Sequence, residues 1–414
     1  MKSYWLCLSL LILKAYSLRA QTTISEAEEL FRKNNIQLLA AHYDIDAAEA
    51  GVIQAKIWEL PYLSGEFNAV NPQDNQLFDL GRAGQKGIAV QQLIYLGGKK
   101  KSEIALAKSN VALAELQFEQ LLVTLRYRLR QQFYELYFNR LKMESVENQA
   151  RQVDTLIAAY AQQVEKRNLP LKDLVRLQSL ALNLRQELGA LKQETIALSN
   201  ELSLLTGSNQ PIIPSVELSQ LQDRYAKKID IKLDNLLQLA QQNSPEYRSY
   251  LQLAENQTLN LKWQEALSRP DITAGLAYDQ SGGAFKNQIN ITFGIPIPLW
   301  NRNKGNIKLA QAELTQSGLQ REYKAQELRS QLQSRFQTWT YYQEQYLQFA
   351  QNSENIERVY TAVMQNFQNR NISILEFTDF VESYQQSMLQ IQEMRKQLIL
   401  SQENINQLVN RTIF

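Results

Sequence analysis

Glu376 and Asp379 stand three residues apart in SILEFTDF, a spacing that puts both carboxylates on one face if the segment is helical. Such a pair attracts cations, and carboxylates crowded by further copies repel one another. The plainer reading is that acids in a first turn complement the helix dipole, as Asp173 does earlier in the chain. Other chemistry is sparse. The one cysteine, Cys7, lies in an N-terminal apolar run, the one histidine is His42, and Met143, Met364, Met388 and Met394 are scattered, so no metal-ligand cluster is visible. His42 reads as a surface or packing residue. No nucleophile–base set, phosphate loop or paired catalytic acid stands out, so neither enzyme activity nor a cofactor is expected.

The elements that would position these acids are those of a long, polar, helical chain. Of 414 residues, 44% are hydrophobic and 21% charged, with mean hydropathy −0.38. After the N-terminus no stretch approaches the 18 or so apolar residues of a membrane helix, which leaves a β-barrel open because alternating strands dilute the signal. MKSYWLCLSLLILKAYSLRA has a basic start, an apolar run from Trp5 to Leu13 and a small Ala20, and reads as a secretory signal over 1–20. The residue before Cys7 is not small, which argues against a lipid-anchor signal. Without Lys2, Lys14 and Arg19 the charge is near balance, and no nucleic-acid partner is expected.

The chain repeats itself. At a shift of 203 residues Ile88 pairs with Ile291, Ile94 with Ile297, Lys101 with Lys304, Leu125-Arg126 with Leu328-Arg329, Arg167-Asn168 with Arg370-Asn371 and Leu205 with Leu408. Upstream the shift is 209, matching Asn34 to Asn243 and Pro61 to Pro270, so one inter-strand loop is six residues longer. The reading is a first repeat over 21–206, a linker with Pro211 and Pro214 over 207–232, and a second repeat over 233–414. Each repeat is expected to hold a helix (Ile24 to Glu59; Leu233 to Ser268), two strands, a very long helix (Ser102 to Lys166; Asn306 to Asn369) and a returning helix (Pro170 to Leu205; Ser373 to Val409). Heptad seams run through the returning helices, from Leu174 to Leu205 and from Phe377 to Leu408, and through Ile104 to Leu125 of the first outgoing helix.

The strands PYLSGEFNAV, GIAVQQLIYL, PDITAGLAYD and INITFGIPIPL each have one apolar face and the length of a tilted strand crossing a bilayer. Four strands leave two open edges, and each unpaired backbone group facing lipid costs several kcal/mol, so closure needs more than one chain. Three chains give twelve strands around a water-filled lumen. Pro296 and Pro298 fit if they sit at the rim, where missing N–H groups need no partner. A soluble coiled-coil scaffold, with the strands packed as a small sandwich, is the alternative.

The signal, the duplicated plan, YLGGKKK at 95–101 and IPIPLWNRNKGNI at 295–307 together resemble the TolC-like outer-membrane efflux factors, and within them the heavy-metal (CusC/CzcC-like) branch. The resemblance implies a mainly α fold with membrane β structure. It would be a homotrimer whose twelve-stranded outer-membrane barrel, four strands per chain, continues into an α-helical coiled-coil tunnel across the periplasm. It implies an exit duct for metal cations or drugs, partnered by a periplasmic adaptor (membrane fusion) protein, an inner-membrane RND-type transporter and outer-membrane lipid. The same trimer serving type I polypeptide secretion is a further alternative. By the same resemblance Glu376 and Asp379 match the acidic pair at the tunnel's constriction. Arg167, Asn168, Leu169, Arg370, Asn371 and Ile372 would meet the adaptor at the hairpin tips; the alternative is that they only turn the chain. Gly97, Gly98, Pro296, Pro298, Asn301 and Gly305 would form the strand-to-helix bend. The family commonly has glycine where Arg167 and Arg370 stand, so Asn168 and Asn371 are expected to take the left-handed conformation instead.

Overall fold

The computed structural model describes residues 21–71, 76–82, 84–226, 232–281, 284–350 and 353–414. The signal expected over 1–20 lies outside them, as do parts of the two inter-strand loops (72–75, 83 and 282–283) and 227–231 of the linker. In chain order the elements are β1 (Gln21–Thr22), α1 (Ile24–Asn34), α2 (Ile36–Lys56), β2 (Tyr62–Phe67), β3 (Val70–Asn71), β4 (Gln76–Leu77) and β5 (Lys86–Ile94). Then come α3 (Lys99–Glu165), α4 (Leu171–Thr206), β6 (Ile213–Pro214), α5 (Leu218–Ala226), α6 (Leu233–Asn243) and α7 (Pro245–Leu267). The last are β7 (Ile272–Ser281), β8 (Phe285–Gly294), α8 (Lys304–Ala350), α9 (Ser353–Gln368) and α10 (Ile374–Val409). None of the described helices is long and apolar enough to cross a membrane.

The helix expected from Asn306 to Asn369 is described as α8 and α9, with 351–352 outside the described residues, and two further expected helices are each broken once. The first breaks at Asn35, extended at φ −67° and ψ 110°; its Oδ1 accepts from Leu38 N and its Nδ2 donates to Leu205 O, both at 2.9 Å. The second breaks at Ser244, at φ −64° and ψ 115°, because Pro245 begins the next helix and disfavours helical backbone in the residue before it. An asparagine that caps does in the first half what a proline does in the second. The strand expected to run to Leu299 instead ends at Gly294 and starts earlier, at Phe285.

The chain divides into two units. The one comprising Ala41–Glu119 and Pro245–Gln326 holds an antiparallel sheet of order β2-β5-β7-β8, and the connection from β5 to β7 spans the long helices between them. In the same unit His42 is exposed at the surface and meets Phe118 edge-on, ring centroids 5.8 Å apart. Buried Asn256 donates to Ser109 Oγ and Asn110 Oδ1, which pins α7 to α3.

The other unit comprises the chain up to Ala40, Gln120–Ser244 and Glu327–Phe414. Its core is the heptad seam: Leu177, Leu184 and Leu202 of α4 and Phe377, Leu398 and Ile405 of α10 are fully buried. Near the hairpin turns the seam becomes aromatic. Phe367 stacks on Phe377 at 4.0 Å and on Tyr160 at 5.7 Å, and Tyr360 stacks on Tyr384 at 4.1 Å. Each such pair adds about 0.5–1.5 kcal/mol beyond area burial, which fixes the helix ends that carry the turns.

Candidate functional site

Cross-strand partners project from the same face of a sheet, so the register sorts every side chain. Leu63, Val90, Leu276 and Ile291 form one row across all four strands, and they are 69%, 45%, 60% and 84% exposed. The next row, Gly65, Ile88, Tyr278 and Ile289, lies on the same face. This chain therefore leaves a whole apolar face uncovered. The opposite face carries the row Ser64, Ala89, Ala277, Asn290 and the row Glu66, Gly87, Asp279, Gln288. All of these but Gln288 line a concavity of about 520 Å³. Glu66 and Asp279 share a row with only Gly87 between them, so their strands lie about 10 Å apart. The sequence reading did not single out these two acids. The signal was available, because they fall on the polar parity of PYLSGEF and ITAGLAYD.

At one end of the sheet the strands pass into helices through the predicted bend. Gly97 and Gly98 take φ of 68° and 78°, and the Arg269 side chain occupies the place where a Gly97 Cβ would be. Leu96 N donates to Asp271 Oδ1 at 3.0 Å, and buried Lys99 pairs with Asp271 at 2.6 Å. Pro296 and Pro298 follow the last residue of β8, where no ladder N–H is lost. Asn301 Oδ1 accepts from Asn303 N, and Asn303, at φ 54°, donates to Gln264 O at 2.8 Å. Asn303, absent from the sequence-derived set, is thus the left-handed residue of this turn. Gly305 lies inside the first turn of α8 with open space around it, so its position does not demand glycine.

Both hairpin turns close the same way, and they correct one expectation. The left-handed residues are Arg167 (φ 61°) and Arg370 (φ 63°), not Asn168 and Asn371. Arg167 N donates to Val164 O and Asn168 N to Gln163 O, each at 2.9 Å; Arg370 N donates to Phe367 O at 3.0 Å and Asn371 N to Asn366 O at 2.9 Å. These are paired Schellman closures, whose geometry puts the positive φ one residue before the asparagine. The asparagines reinforce the closure. Asn168 Nδ2 reaches Gln163 Oε1 at 2.8 Å and Asn371 Nδ2 reaches Asn366 Oδ1 at 3.2 Å. An arginine there carries a Cβ penalty of about 1–2 kcal/mol that glycine escapes. Arg167, Asn168, Arg370 and Asn371 are exposed, whereas Leu169 is half-buried and Ile372 packs on the aromatic core beneath.

Glu376 and Asp379 both lie exposed in the first turns of α10, but they are chemically unequal. Glu376 closes a capping box: its Oε2 accepts from Ser373 N and Ser373 Oγ, both at 2.8 Å, while Ser373 Oγ accepts from Glu376 N. Those Ser373 donors hold its carboxyl below the usual carboxylate range. Thr23 and Glu26 make the same box at α1. Asp379 has no such local role. Glu376 thus serves the helix cap as well as carrying a charge, and Asp379 is the freer charge. Among the described residues no group of three or more His, Cys, Asp or Glu side chains could hold a metal ion.

One buried charge locks the helices of this unit. Glu403, 2% exposed at its side chain, accepts from Arg130 Nε at 2.7 Å and Nη2 at 3.1 Å and pairs with Arg224 at 2.9 Å. Arg130 also binds Glu28 at 2.6 Å, and Arg224 donates to Tyr134 OH and Gln402 Oε1. Three helices, α3, α5 and α10, thus meet at one carboxylate, and Arg130 ties α1 to them through Glu28. Burial pushes the Glu403 carboxyl up, but Arg224 and Arg130 outweigh it and hold it below the ordinary value.

No family model matches the chain. It is 25% identical over 292 residues to the cobalt-zinc-cadmium resistance protein CzcC of Cupriavidus metallidurans, an alignment that covers 69% of this chain. The same alignment spans 65% of that relative, just under two thirds of its length. Among solved structures, CusC, described in terms of transmembrane channel formation, superposes with TM-score 0.76 over 95% of both chains at 17% identity. The Campylobacter jejuni CmeC outer membrane channel superposes with TM-score 0.74 over 94% of this chain and 87% of its own, at 14% identity.

Proposed function

We propose that this chain, similar in fold to the solved channels CusC and CmeC and distantly in sequence to CzcC, is a TolC-like outer-membrane efflux channel, the exit duct of a tripartite efflux pump. The carrying observation is the four-stranded sheet with one exposed apolar face, one polar concave face and open edges at β2 and β8. Lipid satisfies the first face and water the second; only further strands satisfy the edges. Three chains supply a twelve-stranded barrel whose lumen is the polar face, with the doubled helices of the two repeats forming the periplasmic tunnel. The linker over 207–232 separates those repeats. Arg167, Asn168, Arg370 and Asn371 are the adaptor-facing tips, rigid because each turn is closed by backbone and side-chain bonds together. The adaptor in turn engages an inner-membrane transporter.

The cargo is proposed to be cationic. In three copies Glu66 and Asp279 form a band of six carboxylates in the lumen, and Asp379 with Glu376 a second acidic band in the tunnel. The likeness to CzcC, a cobalt-zinc-cadmium resistance protein, supports divalent metal ions within that class. A duct needs no cargo-binding cluster, because ions must leave as readily as they enter.

Planar-bilayer recording tests this. Glu66→Gln with Asp279→Asn is expected to lower the cation-over-anion permeability ratio several-fold while leaving the channel open, since both substitutions keep side-chain size. Asp379→Asn should act in the same direction without disturbing the helix cap that Glu376 holds. An unchanged ratio in both variants would remove the cation-duct assignment.

A further inference from the structure

The end of the sheet where strands become helices carries two features that the duct reading does not use. One is a belt of large apolar side chains: Trp300 is 92% exposed, Leu60 83%, Ile297 75% and Leu299 61%, with Trp58 beside them against the Tyr95 ring. The other is a set of cations. Lys101, Arg269, Arg302 and Lys304 are all exposed and none makes an ion pair, whereas the acids nearby, Asp271 and Glu103, are taken by Lys99 and Lys100. Glu59 and Glu265 are exposed acids near this edge; neither is in an ion pair among the described residues, and the Glu59 carbonyl accepts from Gln92.

Apolar belt and cation meet in one cleft of about 420 Å³, where Ile297, Leu299 and Trp300 face Arg269, the one member of the cation set in its lining, beside the Lys99–Asp271 ion pair. Arg269 is held there by Gly97, over whose missing Cβ it lies. Aromatic and aliphatic side chains below the end of an apolar strand face suit the boundary between acyl chains and headgroups. Unpaired cations beside them suit a negative headgroup, because each is worth something near a charged membrane surface and nothing near a neutral one. The electrostatics of the chain itself do not ask for them. The first turns of α3 and α8 contain Lys99, Lys100, Lys101 and Lys304 and no acid, opposite to what a helix dipole favours.

We propose that this belt is a docking surface for anionic phospholipid of the periplasmic leaflet, with the headgroup phosphate against Arg269 in the cleft, Lys101, Arg302 and Lys304 adding positive charge at the same end of the sheet, and the glycerol and acyl boundary against Trp300 and Ile297. The inference rests on the outer-membrane reading above.

The test is native mass spectrometry of the intact protein released from bilayers of equal phosphatidylethanolamine and phosphatidylglycerol. Retained lipid is expected to be enriched at least about five-fold in phosphatidylglycerol, the factor that a single well-placed surface cation supplies. Combined Lys101→Gln, Arg269→Gln, Arg302→Gln and Lys304→Gln substitution should return the ratio to one, and millimolar inorganic phosphate should not displace the lipid. Equal retention of both lipids by the unaltered protein overturns the inference, whatever the variant does; displacement by free phosphate overturns the assignment to lipid. Failure to enter bilayers of either composition would instead overturn the duct reading on which it rests.

Discussion

Replacing Glu403 by glutamine is expected to cost the fold about 3–5 kcal/mol, the penalty for leaving buried cations without their counter-charge. Arg130 and Arg224 would keep one acceptor oxygen between them in place of a shared carboxylate, and α5 would lose the ion pair that ties it to α10. The chemical-denaturation midpoint of the reconstituted protein should fall accordingly. A second readout separates this ion cluster from mere packing. Because the folded carboxyl titrates below its unfolded value, its contribution is full above about pH 4.5 and is lost as pH falls through the folded value. Unaltered protein should therefore weaken on acidification through that window more steeply than Glu403→Gln does. Equal midpoints at neutral pH, or parallel acid profiles, would show that the cluster does not hold the helices.

Adding one methyl group at Gly275 is expected to prevent assembly. A Cβ there would stand 2.3 Å from Val90 O and 2.8 Å from both Gln91 Cγ and Thr292 Oγ1, and the carbonyl belongs to the paired strand and cannot swing aside. Overpacking ordinarily costs about 1–3 kcal/mol through side-chain adjustment; here the strands themselves would have to part. Gly275→Ala should leave little or no heat-resistant oligomer on semi-native gels. Gly51→Ala, in α2 with open space around it, is the matching control and should leave assembly intact. Normal oligomer yield from Gly275→Ala would mean that β5 and β7 are not paired in this register.

What could be read from the sequence, and what could not, follows from the range of the forces involved. The seams from Leu174 to Leu205 and Phe377 to Leu408 are period patterns, and burial of Leu177, Leu184, Phe377 and Leu398 is their direct consequence. The strand faces were legible for the same reason, so the apolar row through Leu63 and Ile291 lies where alternation placed it. Pairing order was not legible, and with it the meeting of Glu66 and Asp279 in one row, because those residues are 213 positions apart and only register unites them. The turns failed differently. Asparagine is the better left-handed residue in isolation, yet the Schellman closure fixes which position must adopt positive φ, and arginine bears the strain at both tips. The helix breaks at Asn35 and Ser244 were half visible: Pro245 announces the second, while the first depends on a carbonyl 170 residues away.

The proposed duct forms only if the open edges of β2 and β8 are closed by other copies of the chain. The most direct measurement is the mass of the detergent-solubilised particle, by light scattering corrected for bound detergent, before and after heating in dodecyl sulfate. Three chains per particle, collapsing to one on heating, is the expected result. A particle holding one chain, stable in buffer without detergent, would contradict the account, since neither the exposed apolar face nor the unpaired edges could then be what they are here taken to be.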